Sequence, residues 1–223
     1  MHGQNGELIL PRNFLPAAER YALMQQLDEW VIENLFALLG RIDAAKLDSM
    51  PSISINLSGA SFTDDKIARH VQESIEKYQI EPHRLTFEIT ESSAIGNFNT
   101  AVKFIDQIRH IGCQVALDDF GKGMSSYSYL QNLNIDYLKI DGSFIRKISE
   151  SDFNEALVRS MVEIADTLGI ETVAEYVESD SIKQSVTKLG VDWLQGNQIG
   201  IPMPIDHIFA LDFTPSPIRH EHK

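Results

Sequence analysis

The chain has 223 residues, of which 43% are hydrophobic and 23% are charged, and its formal net charge is -13. This composition excludes a disordered or low-complexity chain and fits one domain with a sizeable core. The acidic balance argues against binding of duplex nucleic acid, which proteins hold mainly by neutralising phosphates with lysine and arginine. An anionic ligand would need metal ions as intermediaries.

Targeting signals are not evident in the sequence. It contains neither a run of about 18 uncharged apolar residues nor the basic start and apolar stretch of a signal peptide. We therefore expect a cytoplasmic protein, and a parent protein could still carry a membrane anchor. The only cysteine, Cys113, begins an apolar run and is predicted to be a buried hydrophobe. A single cysteine excludes disulfide and zinc frameworks by count.

The first predicted element is one long helix over residues 14–40, between a proline-containing start and a glycine stop. Helical spacing predicts a shared face for Leu23, Leu27, Trp30, Val31, Asn34 and Leu38. Alternating patterns and β-branched or aromatic residues then predict six strands. They span residues 52–58, 84–90, 113–119, 136–141, 171–175 and 191–196.

Helix-like segments separate these strands, and glycines stand where several of the helices should end. Strands that alternate with amphipathic helices predict an α/β fold with a parallel sheet, either open and doubly wound or closed into a barrel. The even spacing favours a barrel, as does the lack of a glycine-rich dinucleotide fingerprint after an early strand. We expect one domain over residues 1–212 and a C-terminal tail over residues 213–223.

Each predicted strand ends in side chains suited to metal or phosphate. In chain order they are Asn56, Glu88, Asp118 with Asp119, Lys139 with Asp141, Glu175 and Gln195. The C-terminal ends of parallel strands share one rim of a barrel, so these side chains should converge. Amide and carboxylate oxygens suit Mg²⁺ or Mn²⁺, and two such ions can bind a phosphodiester and lower the pKa of a bridging water. Lys139 could hold that water and offset negative charge.

Ordinary structural interpretations exist for the same residues. Glu88 or Glu175 could cap a helix or remain solvated, Asn56 could form a turn, and Lys139 and Asp141 could form a surface pair. For any single residue the structural interpretation is favoured. For the whole set the functional one is favoured, because independent turns would not give one oxygen-rich chemistry at six successive strand ends.

Six motifs in this order and spacing resemble the EAL domain family of bacterial cyclic di-GMP phosphodiesterases: "INLS", "FEITE", "LDDFGKGMSSYSYL", "LKIDGSFI", "TVAEYVE" and "LQG". The similarity extends from "GELILPRNFLPAAERYALM" to about Pro204. It implies a modified TIM (β/α)8-type barrel that hydrolyses cyclic di-GMP to linear pGpG with two Mg²⁺ or Mn²⁺ ions.

The resemblance also implies roles for the matched residues. The metal ligands would be Asn56, Glu88, Asp118, Asp119 and Glu175, with Asp119 bridging at the second ion. The catalytic residues would be Lys139, which contacts the catalytic water, with Asp119, Glu175 and Glu178. Gln195 and Asp141 would bind substrate. Glu91 would order the loop over residues 119–126 through hydrogen bonds, and Gly121 and Gly123 give that loop freedom, which could couple it to dimerisation or to a regulatory domain.

One departure from the family concerns the first strand. The family's Glu-Ala-Leu motif, whose glutamate ligates metal, has no counterpart here, and Glu7 aligns after it. The expected barrel is therefore truncated at its N-terminus and lacks that strand, which would weaken metal binding and open the barrel edge. Either the chain is a fragment of a longer protein, which we favour because the other ligands are present, or the domain has lost the strand and its activity.

Smaller departures lie near the expected nucleotide. Tyr176 replaces a glycine usual in the family, Met124 replaces a tyrosine, and "GNQIGIP" over residues 196–202 replaces a more aromatic stretch. These changes could alter affinity or turnover, and Tyr176 could equally pack in the core.

Three functions follow as hypotheses. The first is a phosphodiesterase domain, expected to form a homodimer and to follow a sensory or cyclase domain in its parent protein. The second is a degenerate receptor that binds cyclic di-GMP without cleaving it. The third is an interaction domain whose open barrel edge pairs with another chain.

Overall fold

The computed structural model describes residue 7 and residues 9–122 and 127–211. The expectations for Gly123, Met124 and the tail over residues 213–223 lie outside the described residues. Within them, strands and helices alternate along the chain, as the sequence predicts.

Six parallel strands form one sheet in the chain order β1 to β6. They are β1 Ile53–Leu57, β2 Leu85–Thr90, β3 Gln114–Phe120, β4 Tyr137–Ile140, β5 Glu171–Ala174 and β6 Trp193–Leu194. All six predicted strands are confirmed, with ends that differ by one or two residues. Among the strands described, β1 and β6 each have one neighbour, so the sheet is an open half-barrel.

Ten α-helices accompany the sheet in the described part of the chain. They are α1 Pro11–Arg20, α2 Met24–Leu39, α3 Ala44–Ser49, α4 Lys66–Tyr78, α5 Glu91–Gly96, α6 Phe98–Ile111, α7 Gly142–Ile145, α8 Asp152–Leu168, α9 Asp180–Lys188 and α10 Ile205–Phe209. Short 3₁₀ turns lie at Gly59–Phe62, Pro82–Arg84 and Tyr127–Asn132. Among the described residues, no helix combines the length and the apolarity that crossing a membrane requires.

The single long helix predicted over residues 14–40 is wrong, because the chain forms two helices there. Ala22 adopts a left-handed backbone conformation with φ of 52°, which a continuous right-handed helix cannot accommodate. The N–H groups of Tyr21 and Leu23 donate to carbonyls of the preceding turn and close the first helix. A non-glycine residue with positive φ leaves no signal in the hydrophobic pattern.

The apolar face predicted for this helix is also wrong. Trp30 is 63% exposed, and Val31 and Asn34 are exposed with it. The buried face of α2 instead carries Asp28, Ile32, Phe36 and Leu39. Apolar residues occupy more than one side of this helix, and the true inner face includes a carboxylate, so hydrophobic spacing selected the wrong stripe.

The core lies between the sheet and the helices packed on its outer side. Phe87, Val115 and Leu138 of the strands are fully buried, together with Phe36 and Ile108 of the helices. Burial of this kind contributes about 25 cal/mol per Å² of apolar surface. Cys113 is buried as predicted, and burial raises the pKa of its thiol to about 12. The core thus supports the strand ends where the predicted polar residues lie.

Candidate active site

Parallel pairing aligns the carboxyl ends of the strands along one rim. Asn56 of β1 lies opposite Glu88 of β2 in the pairing register. Just past the end of β5, the N–H of Glu175 donates to the carbonyl of Ile140, the last residue of β4, at 3.3 Å. The predicted convergence of strand ends is therefore found in the described residues. Asn56 lies within a strand, so the turn interpretation of this residue is wrong.

A β-bulge explains the adjacent aspartates at the end of β3. Leu117 pairs with Leu138 and Phe120 with Ile140, so two residues of β3 oppose one residue of β4. Asp119, one of the two, has a left-handed φ of 58°. In a regular strand neighbouring side chains point to opposite faces, and the bulge removes that constraint. Sequence reasoning missed the bulge, although two acidic residues ending a buried strand were its signal.

Lys139 lies at the centre of the first group of charges. Its Nζ is 2.6 Å from Glu88 Oε2, 3.0 Å from Asp118 Oδ1 and 3.1 Å from Glu175 Oε1. The Lys139 side chain is only 5% exposed. The interpretations of Lys139 as a surface pair, and of Glu88 and Glu175 as solvated charges, are therefore wrong. The four groups form a buried ion cluster.

The pKa values of Lys139 and Glu175 reflect opposing effects. Burial lowers the pKa of Lys139, but the charges of Glu88, Asp118 and Glu175 raise it more, and it lies above its usual value. Lys139 is therefore a charged ammonium. Burial raises the pKa of Glu175, and Lys139 opposes this while Asp118 adds to it. Glu175 is thus a carboxylate whose charge a further cation would stabilise.

A second group of charges shares Glu175 with the first. Single carboxylate oxygens of Asp119, Asp141 and Glu175 all lie within 4.8 Å of one another. Lys122 reaches this group, with its Nζ 2.6 Å from Asp119 Oδ1 and 2.9 Å from Asp141 Oδ2. The rim therefore presents two neighbouring clusters of oxygens, each touched by one ammonium.

Asp141 also caps the short helix α7. Its Oδ1 accepts a hydrogen bond from the N–H of Ser143 at 2.9 Å, and the residue is buried. Burial opposes ionisation, but hydrogen bonds from Ser143 and Lys122 prevail and lower the pKa of Asp141 to about 2. The surface-pair interpretation of Asp141 is wrong, and its predicted contact with substrate stays a prediction.

The chemistry of these side chains fits hard divalent cations. The two clusters contain five carboxylates and two ammoniums, which leaves an excess of three negative charges. All of the acidic donors are oxygen atoms, and Asn56, whose amide carries a further oxygen, pairs with Glu88 in the strand register and is exposed. Oxygen ligands of this kind suit Mg²⁺ and Mn²⁺. The ligand roles of Asn56, Glu88, Asp118, Asp119 and Glu175 stay predictions.

Lys122 should compete with a divalent cation for the same carboxylates, which gives a first prediction. In Lys122→Thr, Asp119 and Asp141 lose their ammonium partner, so Mn²⁺ should bind more tightly. The half-exposed pair limits the gain to about fivefold. Titration of Mn²⁺ followed by electron paramagnetic resonance measures the change, with the exposed Lys188→Thr as control. Weaker Mn²⁺ binding in Lys122→Thr would contradict this competition.

Glu91 links the two described sides of the predicted loop. It is buried at the start of α5. Its Oε2 accepts a hydrogen bond from the N–H of Gly121 at 3.0 Å, and its Oε1 accepts one from the hydroxyl of Tyr129. These partners flank residues 123–126, which the structure leaves undescribed. The contacts agree with a loop-ordering role, which stays a prediction.

The Glu91 contacts give a second prediction. In Glu91→Gln the side chain keeps its shape but loses its charge and one acceptor oxygen. The hydrogen bonds from Gly121 and Tyr129 are then weakened, because a hydrogen bond to a charged group contributes about 1.5–3 kcal/mol. The hydrolysis of cyclic di-GMP that the family resemblance implies should fall by about tenfold or more. Tyr129→Phe should lower it less, because the bond to Gly121 is kept. Glu155→Gln, which affects an exposed pair with Arg159, is the control; equal rates in Glu91→Gln and wild type would refute the role.

Glu178 and Gln195 lie beside the clusters, along a cavity. The ion pair described for Glu178 is with Arg146, at 4.0 Å, and its side chain is 44% exposed. Glu178, Gln195 and Glu175 share a cavity of about 300 Å³ at the rim. Gln195 also borders a smaller cavity inside the half-barrel, with Glu88 and Lys139. Their predicted roles in catalysis and substrate binding stay predictions.

Tyr176 borders the same rim cavity. It is 45% exposed, so the core-packing interpretation is wrong. Its φ of 54° lies in the left-handed region that favours glycine, which accounts for the glycine usual in the family at this position. The guanidinium carbon of Arg146 lies 3.7 Å from the ring centroid, and a Cβ on Gly142 would clash with the ring. Four residues of the departing "GNQIGIP" stretch also line this cavity: Gly196, Asn197, Gly200 and Pro202.

Comparison with known proteins decides the family. The EAL domain profile matches residues 1–202. The chain belongs to the EAL domain family. The resemblance noted in the sequence is thereby confirmed, whereas the absence of a Glu-Ala-Leu strand is not confirmed by this match.

Two curated relatives of this EAL domain carry the name cyclic di-GMP phosphodiesterase. PdeF of Escherichia coli is 41% identical over 207 residues, which cover 92% of this chain and 27% of PdeF. PdeB of Shewanella oneidensis is 37% identical over 200 residues, which cover 90% of this chain and 23% of PdeB. The chain spans about a quarter of the length of these relatives.

Solved structures share the fold. The PaMucR phosphodiesterase in complex with c-di-GMP is 33% identical, with a TM-score of 0.83 over 93% of this chain and 83% of that chain. The FimX EAL domain of Xanthomonas citri in complex with c-di-GMP is 25% identical, with a TM-score of 0.86 over 95% of this chain and 81% of that chain. The six-stranded half-barrel is therefore part of an EAL-type TIM-like barrel.

Proposed function

We propose that this EAL domain hydrolyses cyclic di-GMP to linear pGpG by a two-metal mechanism. The observation that carries the proposal is the pair of oxygen clusters at the rim, which share Glu175 and hold an excess of negative charge. The relatives named phosphodiesterases and the c-di-GMP bound to PaMucR support the same substrate.

Asn56, Glu88, Asp118, Asp119 and Glu175 would hold the metal ions, with Asp119 at the second ion. When bound, they would supply a water of lowered pKa and neutralise phosphate charge. The Lys139 ammonium would donate a hydrogen bond to that water and offset negative charge on the phosphate. The Glu175 carboxylate would take the water proton. The water oxygen would bond to phosphorus as one ring P–O bond breaks, and the proton taken up by Glu175 would pass to the leaving oxygen.

The rim cavity beside the clusters would hold the nucleotide. Glu178 and Gln195 would complete its polar lining, and Asp141 would contact the substrate from the second cluster. Tyr176, half-exposed on the cavity wall, would face the same ligand. The shared cavity lining of Glu175, Glu178 and Gln195 supports a reaction centred on Glu175.

The direct test is an assay of the parent protein. Incubation with cyclic di-GMP and Mn²⁺ should yield pGpG, measured by liquid chromatography, and a chelator should abolish the product. Absence of pGpG from a protein that binds Mn²⁺ in a separate measurement would defeat the proposal.

A receptor function is the second candidate. Tyr176 and four residues of the departing "GNQIGIP" stretch line the rim cavity, so the cavity could bind the nucleotide in a way that does not lead to hydrolysis. Micromolar binding of cyclic di-GMP in the presence of a chelator, without turnover, would favour it. No binding would exclude it.

We also propose partners for the parent protein. A relative, MucR of Pseudomonas aeruginosa, is named a bifunctional diguanylate cyclase and phosphodiesterase, which supports an upstream cyclase or sensory domain here. A homodimer stays a prediction, and sedimentation equilibrium in an analytical ultracentrifuge, which measures the molar mass in solution, tests it. The alternative assembly is pairing of the open edge of β1 or β6 with a strand of another chain. A monomer at high concentration would argue against the homodimer and against this edge pairing.

A further inference from the structure

Asp28 is a buried carboxylate on α2, outside the two rim clusters. It is 6% exposed and lies on the inner face of the helix, one turn before Ile32. Its Oδ2 accepts hydrogen bonds from the N–H of Ser58 at 2.9 Å, the hydroxyl of Ser58 at 2.6 Å and the hydroxyl of Ser61 at 2.6 Å. All three donors are neutral, so hydrogen bonds offset the burial of this charge.

These hydrogen bonds attach α2 to the segment that leaves β1. Ser58 directly follows the end of the strand, two residues after Asn56, and Ser61 lies in the 3₁₀ turn that comes next. Asp28 therefore fixes both the backbone at the end of β1 and the direction of the chain beyond it. A hydrophobic residue at position 28 would fill the core without making this attachment.

Two sets of contacts hold the end of β1, the strand that carries Asn56. β2 to β5 each lie between two neighbouring strands, whereas β1 pairs with β2 alone among the strands that the structure describes. The register with Glu88 holds Asn56 from one side. The bonds from Asp28 to Ser58 and Ser61 hold the end of the same strand from the helix layer.

We propose that Asp28 is a positioning residue that fixes the side chain of Asn56 at the rim where divalent metal binds. The inference rests on the proposed function only in taking Asn56 as a metal ligand. Residues that orient metal ligands typically change metal affinity by 10–100-fold when replaced, although they do not touch the metal. Asp28 acts in this way through the backbone.

The test is a double-mutant cycle on Mn²⁺ affinity, measured without substrate by electron paramagnetic resonance. Asp28→Asn should weaken Mn²⁺ binding by about tenfold. Asn56→Ala should weaken it at least as much, and the double variant should bind no more weakly than Asn56→Ala, because the two changes affect one ligand. Additive losses, or unchanged affinity in Asp28→Asn with a lowered melting temperature, would overturn the proposal.

Glu33→Gln is the matched control on the same helix. Glu33 accepts hydrogen bonds from Ser74, Lys77 and Tyr78, all on α4. This variant should lower the melting temperature and leave Mn²⁺ affinity unchanged. If Asp28→Asn fails to fold, Ser61→Ala removes one of the three bonds and should weaken Mn²⁺ binding less, in the same direction. Unchanged affinity in Ser61→Ala would then count against the proposal.

A second measurement needs no metal. The side-chain amide resonance of Asn56, assigned by its loss in Asn56→Ala, should shift or broaden in Asp28→Asn and not in Glu33→Gln. An unchanged resonance would overturn the positioning role. If the resonance and the cycle behave as expected but the parent protein yields no pGpG, only the hydrolytic proposal fails.

Discussion

Replacement of Lys139 by methionine should reduce the hydrolysis of cyclic di-GMP by roughly 10²–10³-fold, the usual loss when one group that stabilises developing negative charge is removed. The same change should destabilise the metal-free protein by roughly 3–5 kcal/mol, because Glu88, Asp118 and Glu175 would then face one another without their shared ammonium. Rates at saturating Mn²⁺ measure the first effect, and thermal unfolding in a chelator measures the second.

Addition of Mn²⁺ separates the two consequences of Lys139→Met. A divalent cation at the same carboxylates would replace the lost positive charge, so Mn²⁺ should raise the melting temperature of Lys139→Met more than that of wild type. Activity should stay low, because the cation does not replace the hydrogen bond to water. Lys147→Met removes an exposed lysine and should change neither quantity. Full activity in Lys139→Met at saturating Mn²⁺ would contradict the catalytic role of Lys139.

The architecture around this lysine was largely predictable from the sequence. Period-two alternation gives the strands, and parallel strands place their carboxyl ends on one side, so the meeting of Glu88, Lys139 and Glu175 follows from pattern and topology. Their burial was less predictable. A strand end can be solvated or enclosed, and the packing of neighbouring segments decides which.

Other features depend on backbone conformations that carry weak sequence signals. The left-handed residue Ala22 divides a segment that is helical by pattern, and the bulge at Asp118 and Asp119 changes where two side chains point. Both are set by tertiary packing rather than by local preference. The inner face of α2 was mistaken for a related reason, since Asp28 is buried by its hydrogen bonds to Ser58 and Ser61, which hydrophobic spacing cannot anticipate.

The two rim ammoniums differ in a way that matters for metal binding. Lys139 is enclosed and contacts three carboxylates, whereas Lys122 is half-exposed and reaches two from a position three residues after Asp119. Removal of an enclosed charge leaves its partners uncompensated, but a half-exposed charge is screened by water. Lys139 should therefore control stability and catalysis, while Lys122 should adjust metal affinity by a smaller factor.

Replacement of Glu175 by glutamine should separate stability from metal binding. Glu175 is shared by both clusters, so its loss should weaken Mn²⁺ binding by roughly 100-fold, at the upper end of what residues around a metal contribute. Burial and neighbouring negative charge raise the pKa of Glu175, so its charged form is unfavourable in the metal-free protein. Glu175→Gln removes that charge, and the melting temperature in a chelator should rise.

The opposite signs of these two effects make Glu175→Gln informative. A residue that serves only the fold should lower the melting temperature when its ion pair with Lys139 is broken. A residue kept for metal binding should instead destabilise the metal-free protein. Its replacement should then raise the melting temperature in a chelator and weaken Mn²⁺ binding. Mn²⁺ titration and thermal unfolding of the same samples, with the exposed Glu163→Gln as control, measure both. A lower melting temperature with unchanged Mn²⁺ affinity would identify the rim cluster as a structural ion network and would remove Glu175 from the metal site.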